Sequence, residues 1–150
     1  MFAKLNFNPI KEITLFGSTT FYIFLLILSF FDFDIFIFLL LGFIITFGIA
    51  LIIRLLYFKK RPLKQTYANF IEKVDASSFP SLHVARSIFL TLVIHKFFNN
   101  YFLSIFFLII AILVAFSRIY LKKHDIYDVL GGLVLGIIGY YLVNFVISII

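Results

Sequence analysis

The chain has 150 residues, 63% hydrophobic and 13% charged, with a net charge of +6 at pH 7; its mean hydropathy of +1.14 excludes an ordinary soluble domain and points to one membrane-embedded domain over residues 1–150. Cysteine is absent, which rules out a disulfide framework and a thiolate metal site. The basic residues sit between apolar runs rather than on a soluble basic face, so anionic membrane lipids, not nucleic acid, are the expected partners.

At the amino end Lys4, Asn6, Asn8, Lys11 and Glu12 precede an apolar run with no small-residue cleavage site, so the first span is expected to be retained. Ile13 to Phe31 is uncharged and close to the roughly 20 residues that cross a hydrocarbon core, which predicts the first membrane helix. Asp32 and Asp34 make a short polar turn, and Ile35 to Ile53 predicts the second span, closed by Arg54. The polar loop that follows carries Lys59, Lys60, Arg61, Lys64, Glu72, Lys73 and Asp75, and Pro62 biases Arg61 out of helical geometry. Pro80 to Phe98 predicts a third span, weak in hydropathy because His83 and Arg86 lie near its start and His95 and Lys96 near its end. Such polar groups normally face a bundle interior, and Pro80 suits a first helical turn. Asn99 and Asn100 make the next turn, Phe97 to Ser117 predicts the fourth span, and Val129 to Ile150 the fifth. Without tryptophan, an aromatic belt falls to tyrosines such as Tyr57, Tyr101, Tyr120 and Tyr127. The expected fold class is all-α, a polytopic membrane helix bundle of about five transmembrane helices.

Between the last two spans, Ser117 to Asp128 reads SRIYLKKHDIYD. Arg118 offers a planar fork of donors suited to phosphate. His124 and Asp128, four residues apart, would share one helical face. A carboxylate against one imidazole nitrogen fixes the tautomer and frees the other nitrogen to attack, so the stretch points to phosphoryl chemistry at a membrane surface. Span counting puts Arg54, the Pro80–His83 tetrapeptide, Arg118 and His124 at the end of span two, the start of three, the end of four and the start of five. All of them therefore fall on one membrane face, where a single active site can form.

Pro80-Ser81-Leu82-His83, and Ser117-Arg118 followed by five residues, His124, three residues and Asp128, resemble the second and third motifs of the type 2 phosphatidic acid phosphatase superfamily. Its members include lipid phosphate phosphatases, prenyl diphosphate phosphatases and the vanadium haloperoxidases; the last are large soluble proteins, unlike this chain. The family's first motif, a lysine, six residues and Arg-Pro, is matched by Arg54, six residues and Arg61-Pro62. The resemblance implies His124 as nucleophile forming a phosphohistidine, Asp128 as its orienting carboxylate, and His83 as general acid. It implies Arg54, Arg61 and Arg118 as ligands of the nonbridging oxygens, with Ser81 and the Leu82 backbone N–H adding hydrogen bonds. Neither metal nor other cofactor is implied. Arg54 stands where the family has lysine, exchanging a compact ammonium for a wider fork, and Leu82 stands where glycine is usual.

The substrate so implied is a lipid phosphate or diphosphate of the phosphatidate, phosphatidylglycerophosphate or polyprenyl diphosphate type. The alternatives are a phosphohistidine-type lipid headgroup transferase, which the PSLH form resembles, and a noncatalytic lipid-binding membrane protein whose histidines and aspartate merely tie helices together. Lys59, Lys60, Lys64, Lys122 and Lys123 read as a headgroup-facing edge without catalytic role, and His95 with Lys96 as a far-side interfacial pair. Arg86, one turn beyond His83, reads either as a further phosphate ligand or as a partner for Asp75 or Asp128. The expected location is the cell membrane, multi-pass. Lys4, Lys11, Lys59, Lys60, Lys64, Lys73, Lys122 and Lys123 on the site side, against Lys96 on the other, put the site in the cytoplasm, whereas many relatives work on the outer face.

Overall fold

The structure is a computed structural model that describes residues 9–63 and 66–149. Lys4, Asn6, Asn8, Lys64 and Ile150 lie outside the described residues. The helices run in chain order as α1 (Pro9–Thr14), α2 (Thr19–Leu28), α3 (Phe33–Leu56), α4 (Phe70–Ala76), α5 (Leu82–Phe98), α6 (Tyr101–Tyr120) and α7 (Ile126–Ile149). Short 3-10 turns at Leu15–Gly17 and Ser29–Phe31 extend the first two. Polar residues punctuate the apolar runs as caps. The Ser18, Asp32 and Asn100 side chains accept hydrogen bonds from the amides of Phe21, Ile35 and Leu103, starting α2, α3 and α6.

Three helices, α3, α6 and α7, are long and apolar enough to cross a membrane. The bent pair Pro9–Gly17 and Thr19–Phe31 counts as a fourth if taken as one span. The first span is thus not the single straight helix expected: it bends by 53° between Gly17 and Thr19. Ser18, in extended geometry, ends one segment and caps the next. At that break Gly17 lies against α5, where an added Cβ would stand 2.7 Å from the His83 carbonyl oxygen.

The most enclosed helix is α5, the weakest in hydropathy of the expected spans. Nine of its residues, Arg86 and Ser87 among them, are buried, so its polar groups face the bundle interior rather than lipid. Pro80 does not occupy its first turn; the helix begins at Leu82, and a cis peptide bond joins Phe79 to Pro80. Gly132 and Gly136 let α7 approach α5 closely, since a Cβ on either would meet the Ser81 or Ala85 carbonyl oxygen at 2.5 Å. The apolar centre is a cluster of Tyr22, Phe38, Leu39, Phe89, Leu90, Val93 and Val143. The Tyr22 hydroxyl within it donates to the Leu39 carbonyl at 2.9 Å. Large apolar side chains on the outside, such as Phe31 at 96% and Phe102 at 88% exposure, have a solvent match only in lipid.

This arrangement brings the carboxyl ends of α3 and α6 and the amino ends of α5 and α7 to one end of the bundle. At the other, His95 pairs with Ser104 and Lys96 donates to Asn144.

Candidate active site

Each wall of the site follows from local chain geometry. The end of α6 is closed by a turn in which the amides of Lys123 and His124 both donate to the Arg118 carbonyl, at 3.0 and 3.2 Å, with Lys122 at φ 53°. That turn delivers His124 two residues before α7 begins, so His124 and Asp128 do not share a helical face as expected. They meet through a reciprocal cap: the Asp128 amide donates to Asp125 Oδ1 at 3.0 Å and the Asp125 amide to Asp128 Oδ2 at 2.9 Å. His124 Nδ1 lies 3.6 Å from the same Asp128 Oδ2. This is an ion-pair distance, longer than a hydrogen bond.

The fully buried Asp128 carboxylate has a stronger partner that the sequence reading missed. Lys59 Nζ stands 2.8 Å from Asp128 Oδ1 and 2.6 Å from Asp125 Oδ2, and the Ser78 hydroxyl donates to Asp128 Oδ1 at 3.3 Å. Lys59 is therefore the ion-pair partner of Asp125 and Asp128 rather than a lysine that only faces headgroups. Its loop is pinned on both sides: the Lys59 amide donates to Ser77 Oγ, the Ser78 amide to the Lys59 carbonyl, and the Leu63 amide to the Lys122 carbonyl.

Arg54, at the end of α3, donates from Nη2 to the Pro80 carbonyl at 3.1 Å and holds Asp75 Oδ1 at 3.8 Å. Arg61 donates from Nη2 to the Asp75 carbonyl at 2.8 Å. The Ser81 amide donates to the Asp128 carbonyl, which ties the head of α5 to α7. Ser81 Oγ is buried without a partner. It stands beside the first amides of α5, which a helix leaves unbonded internally and turned toward anions.

Together these elements enclose a cavity of about 300 Å³ whose walls include Arg54, Arg61, Arg118, His83, His124 and Leu82. Of the expected site residues, those six share it, and Asp128 and Ser81 stand immediately behind His124 and the head of α5. Arg86 and Thr19 line it as well. Burial, then the neighbouring Arg118 charge, push the His124 imidazole down to about 3 against the pull of Asp128, so the ring is neutral at neutral pH. Burial likewise lowers Arg61. Among the described residues no cluster of three or more His, Cys, Asp or Glu groups offers a metal-ligand set. A second cavity of about 460 Å³, between α3 and α4, is walled by apolar side chains including Leu51, Phe70 and Ile71. It shares Phe47, Arg54, Asp75 and Leu82 with the first.

The family model of the PAP2 superfamily matches residues 56–148. The chain belongs to the PAP2 superfamily. No curated protein sequence matches it. A solved structure does: that of "the first transmembrane PAP2 type phosphatidylglycerolphosphate phosphatase from Bacillus subtilis", with a TM-score of 0.64 and 24% identity over 94% of this chain and 76% of that one. At that identity the likeness speaks for the fold. A PAP2 chain with this span pattern is a multi-pass membrane protein, and the superfamily assignment supports a phosphatase of the lipid-phosphate kind. Arg54, in place of the family's lysine, lies just before the matched stretch.

Proposed function

We propose that the protein is a metal-independent phosphatase that hydrolyses a lipid phosphate or diphosphate through a phosphohistidine on His124. The observation that carries this reading is the His124 ring on the cavity wall, backed by the Asp128 carboxylate at 3.6 Å and facing a space shared with His83, Arg54, Arg61 and Arg118. With Nδ1 turned to Asp128 and carrying the proton, the lone pair on Nε2 is directed into the cavity. It forms an N–P bond to the reacting phosphorus as the P–O bond to the leaving group breaks, and His83 supplies a proton to the departing oxygen. Water then attacks the phosphohistidine, gives its proton to His83, and the N–P bond breaks to release orthophosphate. The arginines hold the charge that develops on the nonbridging oxygens. The apolar cavity beside Leu82 and Arg54 suits the hydrocarbon chain of the same molecule.

Phosphate release by the purified protein from phosphatidate, phosphatidylglycerophosphate and a polyprenyl diphosphate tests this reading in excess EDTA. Release is expected to continue from at least one of them. Activity lost in EDTA and restored by magnesium would contradict metal independence, and label passing to an added alcohol without free phosphate would make the protein a transferase.

A further inference from the structure

Arg86 is a buried charge that the reaction just described leaves without work. It is 4% exposed, its Nε has no hydrogen-bond partner, and its guanidinium stacks 5.6 Å from the Phe43 ring centre. Neither candidate carboxylate pairs with it. Asp75 is held by Arg54, and Asp128 by Lys59; among the described residues no ion pair reaches Arg86. A guanidinium buried without an anion is strongly destabilising, so the cavity it lines is completed by an anionic ligand. Arg54, Arg61 and Arg118 already surround the reacting phosphoryl group, and the one carboxylate on the cavity wall, Asp75, is largely exposed. A phosphomonoester brings about two negative charges at neutral pH, which these three arginines already more than offset, so the Arg86 charge is left over.

The position of Arg86 says what the remaining anion is. It follows His83 by three residues on α5, so both side chains leave the same helical face, and His83 is the group that meets the leaving oxygen. A cation on the leaving-group side fits a leaving group that is itself a phosphate. Resting on the phosphatase reading, we infer that Arg86 forms a second anion subsite that binds the inner phosphoryl of a lipid diphosphate. The bond broken is then the one between the terminal phosphorus and the bridging oxygen. That oxygen keeps the electron pair and takes its proton from His83, and the lipid monophosphate departs, held by Arg86 as its charge builds.

Two measurements on the full-length protein in detergent test this. The first is kcat/KM for a polyprenyl diphosphate and for phosphatidate in wild type, Arg86→Gln and Arg86→Lys. The glutamine variant is expected to lose about 10- to 100-fold on the diphosphate and no more than about 3-fold on phosphatidate, with partial recovery in the lysine variant. Equal losses on both substrates would overturn the subsite by placing Arg86 on the reacting phosphoryl. The second is binding of inorganic pyrophosphate and of orthophosphate, read by thermal shift. Wild type is expected to favour pyrophosphate, and Arg86→Gln to lose that preference while keeping orthophosphate; no preference in wild type would overturn the inference. If neither lipid is hydrolysed but the Arg86-dependent pyrophosphate preference is found, the subsite stands and the phosphatase reading falls.

Discussion

His124 and His83 face one cavity, with different tasks in the proposed mechanism, and substrates of different leaving-group quality separate them. His124→Ala removes the proposed nucleophile, so activity is expected to fall by about 10³-fold or more with any substrate. His83→Ala removes only the proposed proton donor. With a nitrophenyl phosphate, whose leaving group needs no protonation, it is expected to recover most of the about 10²- to 10⁴-fold lost on an alkyl ester. Equal defects on both substrates would count against His83 as the acid.

Lys59 was invisible in the sequence because its partners, Asp125 and Asp128, stand far along the chain and only the fold joins them. The cap between Asp125 and Asp128 was not read from the sequence, although an acidic residue three after another at a helix start is a capping pattern; nor was the separation of His124 from the helix, because the turn ending α6 depends on a positive φ at Lys122. As a positioning residue, Lys59 is expected to act on kcat through Asp128. Lys59→Met is predicted to lower kcat about 10-fold or more with little change in KM.

The same variant gives a pH signature. Burial alone would lower the Lys59 pKa, but its hydrogen bonds to Asp125 and Asp128 outweigh this and raise it. Asp125 is lowered, its burial outweighed by the Lys59 hydrogen bond. The stabilisation should be complete from above the ordinary aspartate value of about 3.9 to below the ordinary lysine value of about 10.4. It is lost as pH falls through the depressed Asp125 value or rises through the elevated Lys59 value. The Tm gap between wild type and Lys59→Met should be flat across that window and close at both ends; a gap independent of pH would contradict the pairing.

At the scale of helices, three of the expected spans were legible because uncharged runs of near-membrane length leave little choice, and α3, α6 and α7 each formed within a few residues of expectation. The break after Gly17 was not, since hydropathy is blind to a bend inside an apolar run and Ser18 is too weak a signal by itself. That the polar groups of α5 face the bundle interior was legible in the sequence, while its central place and the closeness of α7, which rests on glycines, only the packing reveals. Gly132→Ala would set a methyl 2.5 Å from the Ser81 carbonyl oxygen and push apart the two helices that carry Ser81 and Asp128. A loss of about 1–3 kcal/mol is expected, together with lower activity. Gly48→Ala in α3 is the control, because nothing lies within 4 Å of its added Cβ and alanine favours the helix by roughly 0.5–1 kcal/mol. A variant pair that melts and works alike would contradict the close α5–α7 contact.

For the whole molecule, the bundle end that carries the site also carries Lys59, Lys60, Lys122 and Lys123, while Lys96 marks the other end. The positive-inside rule then predicts a cytoplasmic site. In this cysteine-free chain, Lys60→Cys and Asn99→Cys mark the two ends. A membrane-impermeant thiol reagent on intact cells should label position 99 and spare position 60; the reverse pattern would place the site outside.

The claim on which the account turns is the covalent bond between His124 and phosphorus, and the most direct measurement is to trap it. Wild-type protein mixed briefly with a substrate carrying labelled terminal phosphate and then denatured in alkali, where phosphohistidine survives, should carry the label at His124 in peptide mapping. Because burial holds His124 down near 3, labelling should persist at a reaction pH of about 5, below the ordinary histidine value of about 6.5. His124→Ala should carry none. Turnover of the substrate with no label on the wild-type protein, or label undiminished in His124→Ala, would contradict the mechanism.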